Sequence, residues 1–403
     1  MRRLLFLLIF GVSLFLGLYL NHLSRYREVF RSICDLTEEH FYRNDAALVA
    51  WVRECHRRAA VTSGFGTTDQ LLVNIQALMN ELPVSHFQIY NPSEDRKMWK
   101  GEGIDSGIRA RFIEDHLVVY RVFAGSAAGV AGVKPGDDIV GIAGAEQVTP
   151  WGAEHRSGRF HIKRGKADVF FDLVARDFIE DSVPRLTRLD SRTALVEIPS
   201  FRSDFFGDGA WKKFAAQFSA YSHLIVDLRD NSGGNLAAML RALSSFQCGG
   251  RNVGVLLQPR KEAPDKPAFD DNLADDYQIK ELEKYHSLGL VTFGNYGCFT
   301  GKVTLLVGPE TSSVSEIFTS AIMARKNSRV WGQPTAGDVL LAVWFDLPAL
   351  GPGFSVSIPE AVYLTPSKKE LEGTGIWPQK ELYYDLKQSL AGQDSWVVEA
   401  LKF

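Results

Sequence analysis

Hydrophobic and polar positions fall into four textures along the chain. Residues 4–20 form an almost unbroken apolar run behind Arg2 and Arg3. Such a run has no polar face for a water-soluble helix and is about the minimum length for crossing a bilayer, so it predicts a membrane anchor or an export signal. No small-x-small cleavage motif follows before Asn21. The expectation is therefore an uncleaved inner-membrane anchor over residues 1–23 with the rest of the chain facing the periplasm or cell exterior, and a cleaved signal with secretion is the alternative. Arg25, Arg27 and Arg31 place positive charge beyond the run as well, which weakens the orientation signal. From residue 24 to 82, apolar residues recur at three and four and predict helices, broken by the turn Thr62-Ser63-Gly64-Phe65-Gly66.

From about residue 103 to 176 the pattern changes to short alternating runs punctuated by glycine, such as Leu117-Val118-Val119-Tyr120 and Val169-Phe170-Phe171. This predicts strands in a compact, mostly β module. Beyond residue 186, strand and helix patterns alternate. Strand 193–198, a helix near 209–221, the run Leu224-Ile225-Val226 and a helix from Leu236 are followed by strand 303–307 and a helix over 314–325. Such alternation predicts an α/β unit, a mixed sheet with crossover helices. Residues 258–301 start rich in charge and proline and carry no clear period, which suggests a surface insertion or lid.

A chain of 403 residues with 45% apolar content exceeds what one hydrophobic core usually organises, so several units are expected. These are an N-terminal helical region over residues 24–100, the β module over 101–180 and the α/β domain over 181–403. The net charge of -3 leaves no basic stripe for a phosphate backbone, which argues against a nucleic-acid partner. Cys34, Cys55, Cys248 and Cys298 are far apart and form no Cys-x-x-Cys pair, so neither a zinc site nor any other metal or cofactor is expected. Buried free thiols are the simplest reading of the four. Disulfides require an oxidising compartment, and their pairing is not readable from spacing.

Two segments carry candidate chemistry. In the first, the apolar run 303–307 turns through Gly308-Pro309-Glu310-Thr311-Ser312 into Ser313 and a helical pattern. A serine at a helix N-terminus faces N–H groups that lack internal partners and stabilise a developing oxyanion. Ser313-x-x-Glu316 is equally a capping box, a purely structural device. In the second, the run from His223 ends in Asp227-Leu228-Arg229-Asp230-Asn231-Ser232-Gly233-Gly234. Paired glycines allow close backbone approach and can aim N–H groups at an anion, though a plain turn explains them too.

Together these segments resemble the C-terminal processing, or tail-specific, peptidases, with Thr335-Ala336-Gly337 matching that family's Thr-x-Gly turn. The likeness covers most of residues 75–385. The stretch Gly125 through Lys134-Pro135-Gly136-Asp137 to Gly144 is similar to the hallmark of a PDZ domain, with Gly107 and Ile108 near its carboxylate-binding loop. That resemblance implies binding of extended polypeptide C-termini by strand addition. The Ser-Lys branch of the family has its lysine base immediately after the Thr-x-Gly turn, and this chain has Asp338 there. A carboxylate cannot replace that amine.

The segment Pro83-Val84-Ser85-His86 resembles instead the Ser-His segment of the tricorn-core branch, and Glu372 in Leu371-Glu372-Gly373-Thr374-Gly375 matches that branch's glutamate. The resemblance implies a serine peptidase with Ser313 as nucleophile, His86 as base, Glu372 completing the set and Ser85 supporting them. Val314 and either Gly233 or Gly234 would donate N–H groups to the oxyanion. Ser312 and Ser315 are rival nucleophiles, and a catalytically inactive peptide-binding scaffold is the rival function. A carboxylate beside His86 is expected to raise its pKa above the ordinary imidazole value.

Overall fold

The computed structural model describes residues 2–63 and 65–403; for residues 2–9, 18 and 208 it describes the backbone alone. Arg2–His40 is one helix. Side chains 2–9, about a third of the expected anchor over residues 1–23, therefore lie outside the described residues. Of the remainder, Phe10, Val12, Leu14, Phe15, Leu16 and Leu20 are each more than half exposed. Among the described residues no helix is long and apolar enough to cross a membrane.

The later part of the same helix turns inward. Tyr26, Val29, Phe30 and Ile33 join Trp51, Ile75, Leu78 and Phe87 in a core shared with Val356 and Ile358. The periodicity of residues 24–82 resolves into this helix, Ala46–Val61 and Thr68–Met79. Asp45 caps the second helix through Leu48 N at 2.9 Å, and Thr67 with Gln70 forms a capping box on the third. A disulfide joins Cys34 to Cys55 and ties the first two helices together, and a second joins Cys248 to Cys298. The free-thiol reading is thus corrected: the pairs are remote in sequence and meet only through tertiary packing.

The β module is a five-stranded antiparallel sheet built in chain order from Ile108–Ile113, His116–Val122, Asp138–Ile142, Gly158–Arg164 and Ala167–Leu173. Its separate core includes Ile108, Leu117, Val119, Ile139, Phe160 and Ile162. Arg121 pairs with Glu197 at 2.6 Å and Tyr120 donates to Asp230 at 3.3 Å, which holds the module against the α/β unit.

The α/β unit has a sheet in which Thr193–Glu197, His223–Asp227, Lys302–Val307 and Ser328–Gly332 run parallel. Lys380–Glu381 extends one edge in parallel and Arg185–Arg188 the other antiparallel. The expected mixed sheet with crossover helices is borne out. The central strands are buried on both faces, which is why they read as continuous apolar runs. Helices Leu236–Ser244 and Val314–Met323 pack over them.

A second sheet links Gln88–Tyr90, Leu341–Asp346, Ser355–Leu364, Asn252–Leu257, Ser287–Val291 and Asp265–Lys266. Residues 258–301 are therefore neither a surface insertion nor a lid. They supply two strands of this sheet, the helix Asp275–Lys284, and the core side chains Phe269, Leu282, Leu288, Leu290, Tyr296 and Phe299.

Candidate active site

Ser313 stands between strand Lys302–Val307 and helix Val314–Met323 with φ 59° and ψ -132°, a conformation an L-residue adopts only when its surroundings compel it. Two contacts compel it here. The Ser313 N–H donates to the carbonyl of Asp338 at 2.8 Å. Glu316, fully buried one turn later, accepts from Thr335 Oγ1 at 2.5 Å, Gly337 N at 3.0 Å and Asp338 N at 2.9 Å. The helix start is thereby tied to the 335–338 turn. Burial pushes the Glu316 carboxyl up to about 7, while its three hydrogen bonds pull the other way. No capping box forms, since the Ser313 side chain caps nothing and Glu316 reaches across to another segment. The structural reading of Ser313-x-x-Glu316 is corrected accordingly.

The neighbouring hydroxyls are occupied. Ser312 Oγ donates to Ser232 O at 3.0 Å, and Ser315 Oγ, fully buried, donates to Asn231 Oδ1 at 2.8 Å. Ser313 Oγ makes no hydrogen bond among the described residues and is partly accessible.

Gly233 and Gly234 both have positive φ, 108° and 134°. A Cβ on Gly233 would sit 2.7 Å from Ser313 Cβ, and one on Gly234 would meet the Phe201 carbonyl carbon at 2.6 Å, so neither position admits a side chain. The Gly233 N–H donates to Asn231 Oδ1 at 2.9 Å. The N–H groups of Gly234 and Val314 have no partner among the described residues. Asn231, whose Oδ1 thus holds both Gly233 and Ser315, was not singled out from the sequence. Neither was Glu316 as a clamp, and in both cases the local motif held the residue without indicating its partner.

His86 follows the helical region in a loop, at φ 56°. Its Nδ1 lies 3.0 Å from Ser85 Oγ, which donates to Glu372 Oε2 at 2.9 Å. Ser85 has one hydroxyl proton, and the carboxylate takes it. Ser85 Oγ therefore accepts from Nδ1–H, which leaves Nε2 of a neutral ring unprotonated. Glu372 is held by further donors, Ser85 N at 2.8 Å to Oε1, and Val339 N at 2.8 Å and Leu340 N at 3.2 Å to Oε2. Residues 338–340 thus join the two halves, Asp338 gripping Ser313 and its two successors gripping Glu372.

The His86 pKa is lowered, not raised. Burial of the ring outweighs the charges of Asp338 and Glu372, which both favour the imidazolium. The expectation of an upward shift is corrected by desolvation. Asp338 has its own pKa raised, chiefly by partial withdrawal of its carboxyl from water, while the charge of His86 pulls the other way.

Gly107 and Ile108 do not present free amides. The Gly107 N–H donates to Asp105 Oδ1 at 2.6 Å and the Ile108 N–H to Ser106 Oγ at 3.1 Å. The expected carboxylate cradle is closed by side chains of its own loop. Among the described residues no group of His, Cys, Asp or Glu side chains could hold a metal ion.

Residues 192–382 match the model of Peptidase family S41, a span that contains Ser313, Glu372 and both glycines and leaves Ser85 and His86 outside. Over 326 residues the chain is 25% identical to Carboxyl-terminal-processing peptidase 1, chloroplastic, of Arabidopsis thaliana, covering 75% of this chain and 61% of that one. It is 22% identical over 299 residues to a probable CtpA-like serine protease of Staphylococcus aureus, covering 72% of this chain and 55% of the other. The chain thus spans less than two thirds of the length of either curated relative. A crystal structure of a putative S41 protease from Bacteroides fragilis superposes with a TM-score of 0.57 at 14% identity, over 90% of this chain and 92% of that one, a likeness of fold. Residues 192–382 are thus similar to Peptidase family S41, and the chain shares the mixed α/β fold of the S41 protease structure.

Proposed function

We propose that this chain is a serine peptidase in which Ser313 attacks the scissile carbonyl and His86 takes its proton. The observation that carries the reading is the hydrogen-bonded series Glu372, Ser85, His86, joined through residues 338–340 to a strained serine whose hydroxyl is free. The series orients the imidazole, and the lowered pKa keeps Nε2 available as base at neutral pH. Ser313 Oγ and the ring form no hydrogen bond among the described residues, and the reading requires that they approach in the substrate complex. The unpartnered N–H groups of Val314 and Gly234 are the donors for the oxyanion, with Gly233 acting through its lack of a side chain. His86 then protonates the leaving amine, and water, activated by the same ring, resolves the acyl-enzyme.

The substrates are polypeptides, and the carboxyl-terminal processing in the name of the Arabidopsis relative supports cleavage near polypeptide C-termini. The β module, with its antiparallel sheet and two short helices, is assigned a PDZ-like part in presenting such segments. An extracytoplasmic location is supported by the two disulfides, and residues 1–23 are assigned as the membrane anchor. Labelling with a fluorophosphonate tests the reading. The wild-type chain should be labelled at Ser313, and Ser313→Ala should not; an unlabelled wild-type chain would favour the inactive scaffold.

A further inference from the structure

A cavity of about 990 Å³ opens at the far end of helix Val314–Met323, between the start of strand Asn252–Leu257 and the loops at residues 365–369 and 375–377. Its nearest lining residue on that helix, Ser320, is seven positions past Ser313, on the order of 10 Å along the axis. It is not the catalytic cleft. Its lining holds four cationic side chains, Arg251, Arg325, Lys326 and Lys369, and no acidic one. Arg325 donates to the carbonyls of Phe246, Phe299, Gly301 and Lys326 and to Ser328 Oγ, and to no carboxylate. The side chains of Arg251, Lys326 and Lys369 are exposed and make no ion pair or hydrogen bond among the described residues. Apolar surface lies beside this charge, with Leu371 in the wall and Trp377 65% exposed.

Uncompensated cations next to an exposed tryptophan are the chemistry of a polypeptide-binding surface, in which aromatic and arginine side chains dominate affinity and charge selects the partner. A groove is unsuited to a flat bilayer surface. The chain's net charge of -3 disfavours nucleic acid. We propose that this groove binds an extended acidic segment of another polypeptide, carboxylates on the cations and an apolar residue against Trp377. The site stands independently of the peptidase reading.

The test uses full-length Ser313→Ala, which prevents turnover, and fluorescence anisotropy of a fluorescein-labelled peptide of alternating Glu and Leu beside its Lys and Leu counterpart. The acidic peptide should bind at least tenfold more tightly at low salt, with the difference shrinking as salt rises. The triple change Arg251→Glu, Lys326→Glu, Lys369→Glu should lower that affinity at least tenfold while leaving the thermal unfolding midpoint unchanged. Trp377→Ala, which alters no charge, should weaken it independently and serves if the triple variant fails to fold. Equal binding of the two peptides, or binding untouched by these changes, overturns the proposal. So does groove-dependent retention on phosphatidylserine vesicles without peptide binding, or groove-dependent self-association in sedimentation, which would assign the surface to a membrane or to a second copy of the chain.

Discussion

The backbone carbonyl of Asp338 accepts the N–H of Ser313 at 2.8 Å, while the Asp338 N–H donates to Glu316 Oε2 at 2.9 Å. Residue 338 is thus gripped from both ends of the first turn of one helix. The position where the Ser-Lys branch of the resembling peptidases has its base here holds the serine's backbone and adds a negative charge that favours the His86 imidazolium.

Ser313→Ala is expected to abolish hydrolysis with little change in stability, because the lost hydroxyl made no cap. Ser313→Gly should be inactive yet more stable. Relief of backbone strain is worth ~1–3 kcal/mol, against ~0.5–1 kcal/mol for glycine's greater freedom when unfolded, a net gain of about 1 kcal/mol. Denaturant unfolding of both variants checks this, and a destabilised glycine variant would contradict the strain.

Because burial lowers the His86 pKa, kcat/KM should rise with pH through an ionisation below the ordinary value near ~6.5. Asp338→Asn removes a charge that favours the imidazolium, so the midpoint should move further down while activity at neutral pH changes little. His86→Ala should cost on the order of 10²–10⁴ in rate. A pH–rate profile of the three enzymes on one peptide decides, and a midpoint that rises in Asp338→Asn would refute the assignment.

Ionised Glu316 only accepts, and Glu316→Gln must turn an NH2 toward one of its three donors. Loss of about 1–3 kcal/mol of stability is expected. Activity should fall more than stability alone explains, because the 335–338 turn no longer holds Ser313 and Glu372 in mutual register. Unfolding measured together with kcat separates the two effects.

Changing Cys34 and Cys55 together to Ser should lower stability by about 3 kcal/mol, as expected for a closed loop of 21 residues. Reductant should cost the wild-type protein more than this, because it also opens Cys248–Cys298, and should cost the variant only the share of that second bond.

Full-length protein should stay with membranes through a high-salt wash, and a chain beginning at Ser24 should be soluble and active, since among the described residues the first buried position of that helix is Tyr26. Recovery of a soluble product lacking the first residues would favour the signal-peptide alternative.

Runs such as Leu224-Ile225-Val226 foretold the parallel sheet because strands buried on both faces need no polar positions. Residues 258–301 misled because Asp265–Lys266 and Ser287–Val291 are short strands whose pairing is non-local, so no local period records them. Ser313-x-x-Glu316 misled for a related reason. A glutamate three residues into a helix can turn back to the cap or outward to another segment, and burial beneath the 335–338 turn decided for the latter.

By itself the sequence determined the order of units, the strand-turn-helix settings of Ser313 and of the paired glycines, and the residues Ser85, His86 and Glu372 as a set worth testing. Only the tertiary structure decided that Ser85 joins His86 to Glu372, that the Gly234 amide is free where that of Gly233 is not, that the four cysteines pair, and that His86 is driven toward its neutral form. Spacing along a chain governs which residues share a local element. Hydrogen-bond choice and desolvation depend on which distant segments exclude water from one another.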